Sequence, residues 1–109
     1  MMESLLGSVN RERVLLFVYA RGEGYPRDIA RFFSTDLTPV QRQLDALERG
    51  GILFSRLVGR TRLYTFNPRF PLLDEVKALL GKTITFYPQD EQDRLLLVRQ
   101  RPRRAGKPL

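Results

Sequence analysis

Thr38, Gln41, Arg42, Asp45 and Arg49 recur at helical spacing, and most of them suit an anionic surface. Arginine can donate two parallel hydrogen bonds to a phosphate or a guanine edge; glutamine can bond adenine or a phosphate. Four more cations, Arg56, Arg60, Arg62 and Arg69, follow in a stretch with no acid between residues 49 and 73. On a projecting ribbon they would suit a polyanion's backbone or a narrow groove. Each group also has a plainer explanation. Any solvated helix face carries Arg and Gln, and charges on an edge strand prevent sheet-to-sheet pairing.

Other chemistry finds little support. The chain has no Cys and no His. That excludes a disulfide framework, a thiolate or imidazole metal site, a redox thiol and a Ser-His-Asp triad. Gly22-x-Gly24 lacks the third glycine and the preceding strand of a nucleotide fingerprint. Gly81-Lys-Thr83 has no upstream glycine at phosphate-loop spacing. Asp74-Glu75 and Asp90-Glu91-x-Asp93 stand at helix starts, where acids stabilise the dipole. With no convergent pair of carboxylates, no enzyme activity, metal or cofactor is expected.

The 109 residues suit one domain. The net charge of +7 is unevenly spread. Residues 94–109 hold Arg94, Arg99, Arg101, Arg103, Arg104 and Lys107 and no acid, so the remainder is nearly neutral. Residues 101–109 are expected to be a disordered basic tail. Such a tail would bind phosphates without register, bind an acidic partner or maintain solubility. The longest apolar run, Val14 to Ala20, is far short of the ~20 residues that span a bilayer. Glu3, Arg11, Glu12 and Arg13 interrupt any signal-peptide pattern, so the expected setting is cytoplasmic.

These candidate residues need elements to position them. Ser8 caps a first helix to about Ala20, which Gly22-Glu-Gly24 ends. Pro26 opens a short second helix to about Phe33. After Ser34-Thr-Asp36, a third helix runs to Arg49, capped by Asp36 or by Thr38 with Gln41 completing a capping box. Ile52–Val58 and Arg62–Phe66 have strand character, with Gly59-Arg60-Thr61 at the hairpin tip. The loop has two or three residues; three would pair Leu57 with Leu63 and Phe54 with Phe66. A fourth helix spans about Leu72 to Leu80, closed by Gly81. Residues 82–88 alternate in a way that allows a strand, and a last helix spans about Gln89 to Gln100. Tyr25, Tyr64 and Tyr87 are expected to pack rather than to stack on bases.

The stretch from Pro26 to Leu53, PRDIARFFSTDLTPVQRQLDALERGGIL, resembles the helix-turn-helix of prokaryotic winged-helix regulators, the ArsR-like group above all. Ala30 stands where close helix crossing demands a small residue. Ser34 takes the tight-turn position that the family often gives to Gly. Gly51-Ile-Leu53 looks like the lead-in to the wing, and Arg60-Thr-Arg-Leu-Tyr64 looks like its basic tip and aromatic return strand. Leu5-Leu-Gly-Ser8 and Asn67-Pro-x-x-Pro-Leu72 look like the group's flanking stretches, so the resemblance covers about residues 5 to 80.

The resemblance implies a mostly helical α+β fold, a winged helix-turn-helix with a β-hairpin wing and one or more extra C-terminal helices. The expected divisions are a DNA-binding domain at 1–81, an extension at 82–100 and the tail at 101–109. The implied function is sequence-specific binding of double-stranded DNA as a transcriptional regulator. Helix 37–49 would enter the major groove and hairpin 52–67 would be the wing. With Val40, Leu44 and Leu47 inward, Thr38, Arg42, Asp45 and Arg49 face out and Gln41 flanks them. Asp45 is either a cytosine reader or a sign that only the helix's first half enters the groove. In the wing, Arg56, Arg60 and Arg62 would meet the backbone. The family commonly dimerises through its first and last helices, which points to Leu72, Val76, Leu79, Leu80 and Leu96 as a homodimer interface. Its best-known members sense metals through Cys and His; this chain has neither, so that property does not carry over. The alternative is a protein-interaction module, because winged helices of this appearance also accompany minimal nucleotidyltransferases.

Overall fold

A computed structural model of the chain describes residues 1–97. The elements are α1 (Glu3–Leu6), α2 (Val9–Arg21), α3 (Pro26–Phe32), α4 (Leu37–Arg49), β1 (Leu53–Val58), β2 (Thr61–Phe66), α5 (Leu73–Ile84) and α6 (Gln89–Leu96). The architecture is the expected one, a mostly helical winged helix-turn-helix with added helices after the wing.

The core is organised around α2. The Ser8 side chain accepts hydrogen bonds from the N–H groups of Asn10 and Arg11, which fixes the helix start. Val14 to Val18 are all buried, so the middle of α2 is enclosed on every side, with α4, α5 and α6 packed around it. From α4, Val40, Leu44 and Leu47 point into this core, as their three- and four-residue spacing requires. Each such side chain contributes about 1.5–3 kcal/mol by leaving water. The same burial fixes which side of α4 is left outward.

The turn between α3 and α4 holds Ser34 at φ 52°, in the left-handed region. A non-glycine residue there is strained by about 1 kcal/mol or more. Ser34→Gly is therefore expected to raise unfolding free energy by up to about 1 kcal/mol, less the cost of a freer unfolded chain. A higher urea midpoint at unchanged slope would show it.

The strands pair antiparallel with Val58 opposite Thr61 and Leu53 opposite Phe66. The loop is therefore the two-residue alternative, Gly59-Arg60, and Leu57 faces Arg62 instead of Leu63. Gly59 has φ 61° while Arg60 does not enter the left-handed region, the pattern of a turn that needs glycine first. Gly24 forms an isolated antiparallel bridge to Tyr64, with backbone bonds of 2.9 Å in both directions. Packing at this position favours glycine, because a Cβ there would sit 3.0 Å from the Ile29 side chain and 3.1 Å from that of Phe17.

The C-terminal region departs most from expectation. α5 does not stop at Gly81 but continues to Ile84, so it runs through the division expected at residue 81. Gly81 is there for clearance: a Cβ would meet the Tyr19 hydroxyl at 2.6 Å. Residues 82–88 finish a helix and turn; they form no strand. α6 ends at Leu96, earlier than the expected Gln100; residues 98–100 and the tail at 101–109 lie outside the described residues. α1 was not foreseen, being a single turn closed by Gly7 at φ 87°.

Two polar clusters fasten the added helices. The Arg94 guanidinium lies 4.3 Å from the Phe32 ring centroid and donates to the Phe32 carbonyl, while Arg21 lies 5.5 Å from the same ring. Arg21 also donates to the Leu95 carbonyl at 2.9 Å, tying α2 to α6. Deeper in, the fully buried Glu12 carboxylate accepts from the Met2 N–H at 2.6 Å and from the Tyr87 hydroxyl, with the Met1 ammonium 3.2 Å away.

Candidate nucleic-acid interface

Burial of Val40, Leu44 and Leu47 turns Thr38, Arg42 and Arg49 outward, and all three are exposed. Gln41 and Asp45 are half-buried and engaged with the hairpin. Gln41 Nε2 donates to Asp45 Oδ1 at 3.2 Å and to the Tyr64 hydroxyl at 3.3 Å. The Tyr64 hydroxyl donates to Asp45 Oδ1 at 3.4 Å. Asp45 thus has an internal role, as an acceptor for Tyr64 and Gln41, that its outward helical position in the sequence does not indicate. Burial, followed by the nearby Asp45 and Glu48 charges, raises the Tyr64 pKa against an opposing hydrogen bond from Gln41. Tyr64 thus remains a neutral donor well into alkaline solution.

Tyr64→Phe would leave Asp45 and Gln41 without that hydroxyl. The expected cost is about 0.5–1.5 kcal/mol, read as a lower urea midpoint.

Glu48 positions the wing from the other end of α4. Its carboxylate accepts from the Ser55 N–H at 3.0 Å and the Ser55 hydroxyl at 2.9 Å. Arg62 Nη1 in turn donates to Ser55 Oγ at 3.3 Å. Glu48 and Ser55 were missed in the sequence because neither belongs to a recognisable pattern; only the strand register brings them together. Arg56 and Arg60 are exposed, and the Arg69 backbone N–H donates to Asn67 Oδ1 at 3.0 Å.

Among the described residues, ion pairs join Met1 to Glu3 and Glu12, and Arg31 to Asp28. Arg27, Arg42, Arg49, Arg56, Arg60, Arg62 and Arg69 therefore have no carboxylate partner. Arg27 was also missed. It follows Pro26 at the start of α3 and shares a cleft with Gln41 of α4 and with Arg60 and Arg62 of the wing. The fold thus gathers cations from two elements that are separate in sequence, α3 and the wing, beside the neutral Gln41 of α4.

None of the expected interface residues lines this cleft. Leu72, Leu79 and Leu96 are exposed and Val76 is half-buried. Leu80 is 1 % exposed within the single chain and belongs to its core, so it presents no surface for a partner. Phe86 and Leu97 are further exposed apolar groups. Among the described residues, no group of three or more acids is arranged to hold a metal, and no helix is long and apolar enough to cross a membrane.

No family model and no curated protein matches the chain. Among solved structures, it is similar to Lactococcus lactis ZitR, determined as a double variant in apo form. The TM-score is 0.55 at 16% identity, over 86% of this chain and 80% of that one. At that identity the likeness is one of fold, and it agrees with the winged-helix arrangement of α3, α4 and the hairpin.

Proposed function

We propose that this chain is a non-enzymatic, sequence-specific DNA-binding transcriptional regulator of ArsR-like type, acting as a homodimer. The observation that carries the reading is that Arg42 and Arg49 of α4, Arg56, Arg60 and Arg62 of the hairpin and Arg27 of α3 have no carboxylate partner among the described residues. Unneutralised guanidinium groups attract a polyanion and release its counterions on binding. In this reading α4 enters the major groove, where Arg42 reaches base edges and Thr38 and Arg49 lie beside it. Gln41 keeps an unused carbonyl oxygen as an acceptor. Arg27, Arg56, Arg60 and Arg62 meet backbone phosphates on either side. Leu72, Val76, Leu79 and Leu96 form the apolar band of a twofold dimer, whose two recognition helices face half-sites about one DNA turn apart.

The test is selection of bound genomic DNA by the purified protein at stated salt. An enriched motif is expected. Arg42→Ala should then lower discrimination between that motif and random duplex by about 1–3 kcal/mol. Equal weakening on both duplexes would make Arg42 a phosphate contact. Absence of any enriched motif would transfer the reading to a protein-interaction module that uses the apolar band.

A further inference from the structure

The cleft shared by α3, α4 and the wing measures about 320 Å³. That lies at the lower end of the range for small-molecule sites, roughly 300–1,000 Å³. Its cationic groups are Arg27, Arg60 and Arg62, and no acid lines it. Part of the wall is apolar, supplied by Pro26 and Leu37. Gln41 spends both described hydrogen bonds as a donor, to Asp45 and to Tyr64, so its carbonyl oxygen is free to accept.

These features match different parts of one ligand. Guanidinium groups recognise a phosphate. An apolar wall with one acceptor beside it suits a planar body that carries an N–H donor. A bare phosphate would leave the wall and the acceptor unused. We propose that the cleft binds a nucleoside monophosphate, a heteroaromatic base carrying a single phosphate ester, and that its occupancy excludes duplex DNA. The exclusion rests on the DNA-binding reading, since Arg60, Arg62 and Gln41 cannot serve both partners at once. The binding itself does not.

The experiment titrates the full chain with AMP, GMP, CMP and UMP, and with inorganic phosphate at matched ionic strength. Calorimetry gives affinity and amide shift mapping gives location. At least one monophosphate should bind about tenfold tighter than inorganic phosphate and shift the amides of Tyr25, Leu37, Gln41 and Thr61. Arg27→Ala should weaken it about tenfold. Arg27 is exposed, so the variant should fold, and an unchanged urea midpoint would verify that. The same monophosphate should release a labelled random-sequence duplex. If no monophosphate exceeds inorganic phosphate while the duplex still binds, the ligand class is overturned and the DNA reading stands. Binding that leaves the cleft amides unmoved or ignores Arg27→Ala overturns the site. Cleft binding without any duplex binding upholds the ligand site and overturns its competition with DNA.

Discussion

Replacing Arg60 and Arg62 together with alanine is expected to weaken duplex binding roughly 60-fold at about 0.1 M salt. Each phosphate neutralised contributes about 0.9 to the log–log salt slope, so two contacts account for about 1.8 decades between 0.1 M and 1 M salt. The hairpin is ordered by strand pairing, and Arg62 is further held through Ser55 by Glu48, so on the proposed reading both cations would meet the duplex in fixed positions. The double variant should therefore lose protection at one edge of the footprint as well as affinity. Deleting residues 101–109, which carry Arg101, Arg103, Arg104 and Lys107, should flatten the salt slope but leave sequence preference intact. Binding to target and random duplexes across a salt series separates the two effects. If the deletion abolishes target preference while the double variant changes nothing, the tail is the reader and the wing is not.

Glu12→Ala should destabilise the fold by about 2–4 kcal/mol. The substitution leaves the Met2 N–H and the Tyr87 hydroxyl without their acceptor and opens space in a closed region. Glu12→Gln keeps an acceptor and the volume and should cost less. The same cluster sets an alkaline limit. Burial, then the hydrogen bond and charge of Glu12, push the Tyr87 pKa far above its ordinary value of 10.0. The folded state thus holds the phenol proton more tightly than the unfolded chain does. That stabilisation is complete below pH 10 and is lost as pH rises toward the raised value. Urea titrations between neutral pH and about pH 11 should show a falling midpoint, and the fall should be shallower in Tyr87→Phe. Some fall should remain, because Tyr64 is also raised.

The legible parts of the chain were those governed by local rules. Ser8, Gly22 and the spacing of Val40, Leu44 and Leu47 fix a helix start, a helix stop and a buried face within a few residues. Gly81 misled because glycine both ends helices and permits close approach, and only Tyr19, remote in sequence, distinguishes the two. Register was open for a similar reason. Apolar pairing favoured the three-residue loop, whereas the observed register sets Leu57 against Arg62 and Phe54 against Thr65, and the bridge from Gly24 to Tyr64 belongs to no local pattern. In the candidate site, Thr38, Arg42 and Arg49 follow from helical geometry alone. The engagement of Asp45 and Gln41 with Tyr64, and the approach of Arg27 to the wing, depend on how three elements meet.

Tyr64 holds the hairpin by its backbone and α4 by its hydroxyl, and Glu48 ties α4 to Ser55 of β1, so the hairpin and α4 are joined at two points. For a DNA-binding protein this makes the pair behave as a fixed caliper. Inserting one base pair between the groove contacted by α4 and the edge contacted by the wing would turn the second contact by about 34° around the helix axis, given ~10.5 base pairs per turn. A loosely tethered wing could follow that rotation. If α4 and the wing bind as proposed, this wing would be held to helical phase, and tolerance to spacer length within a half-site would be governed by Tyr64 together with the Glu48–Ser55 bonds.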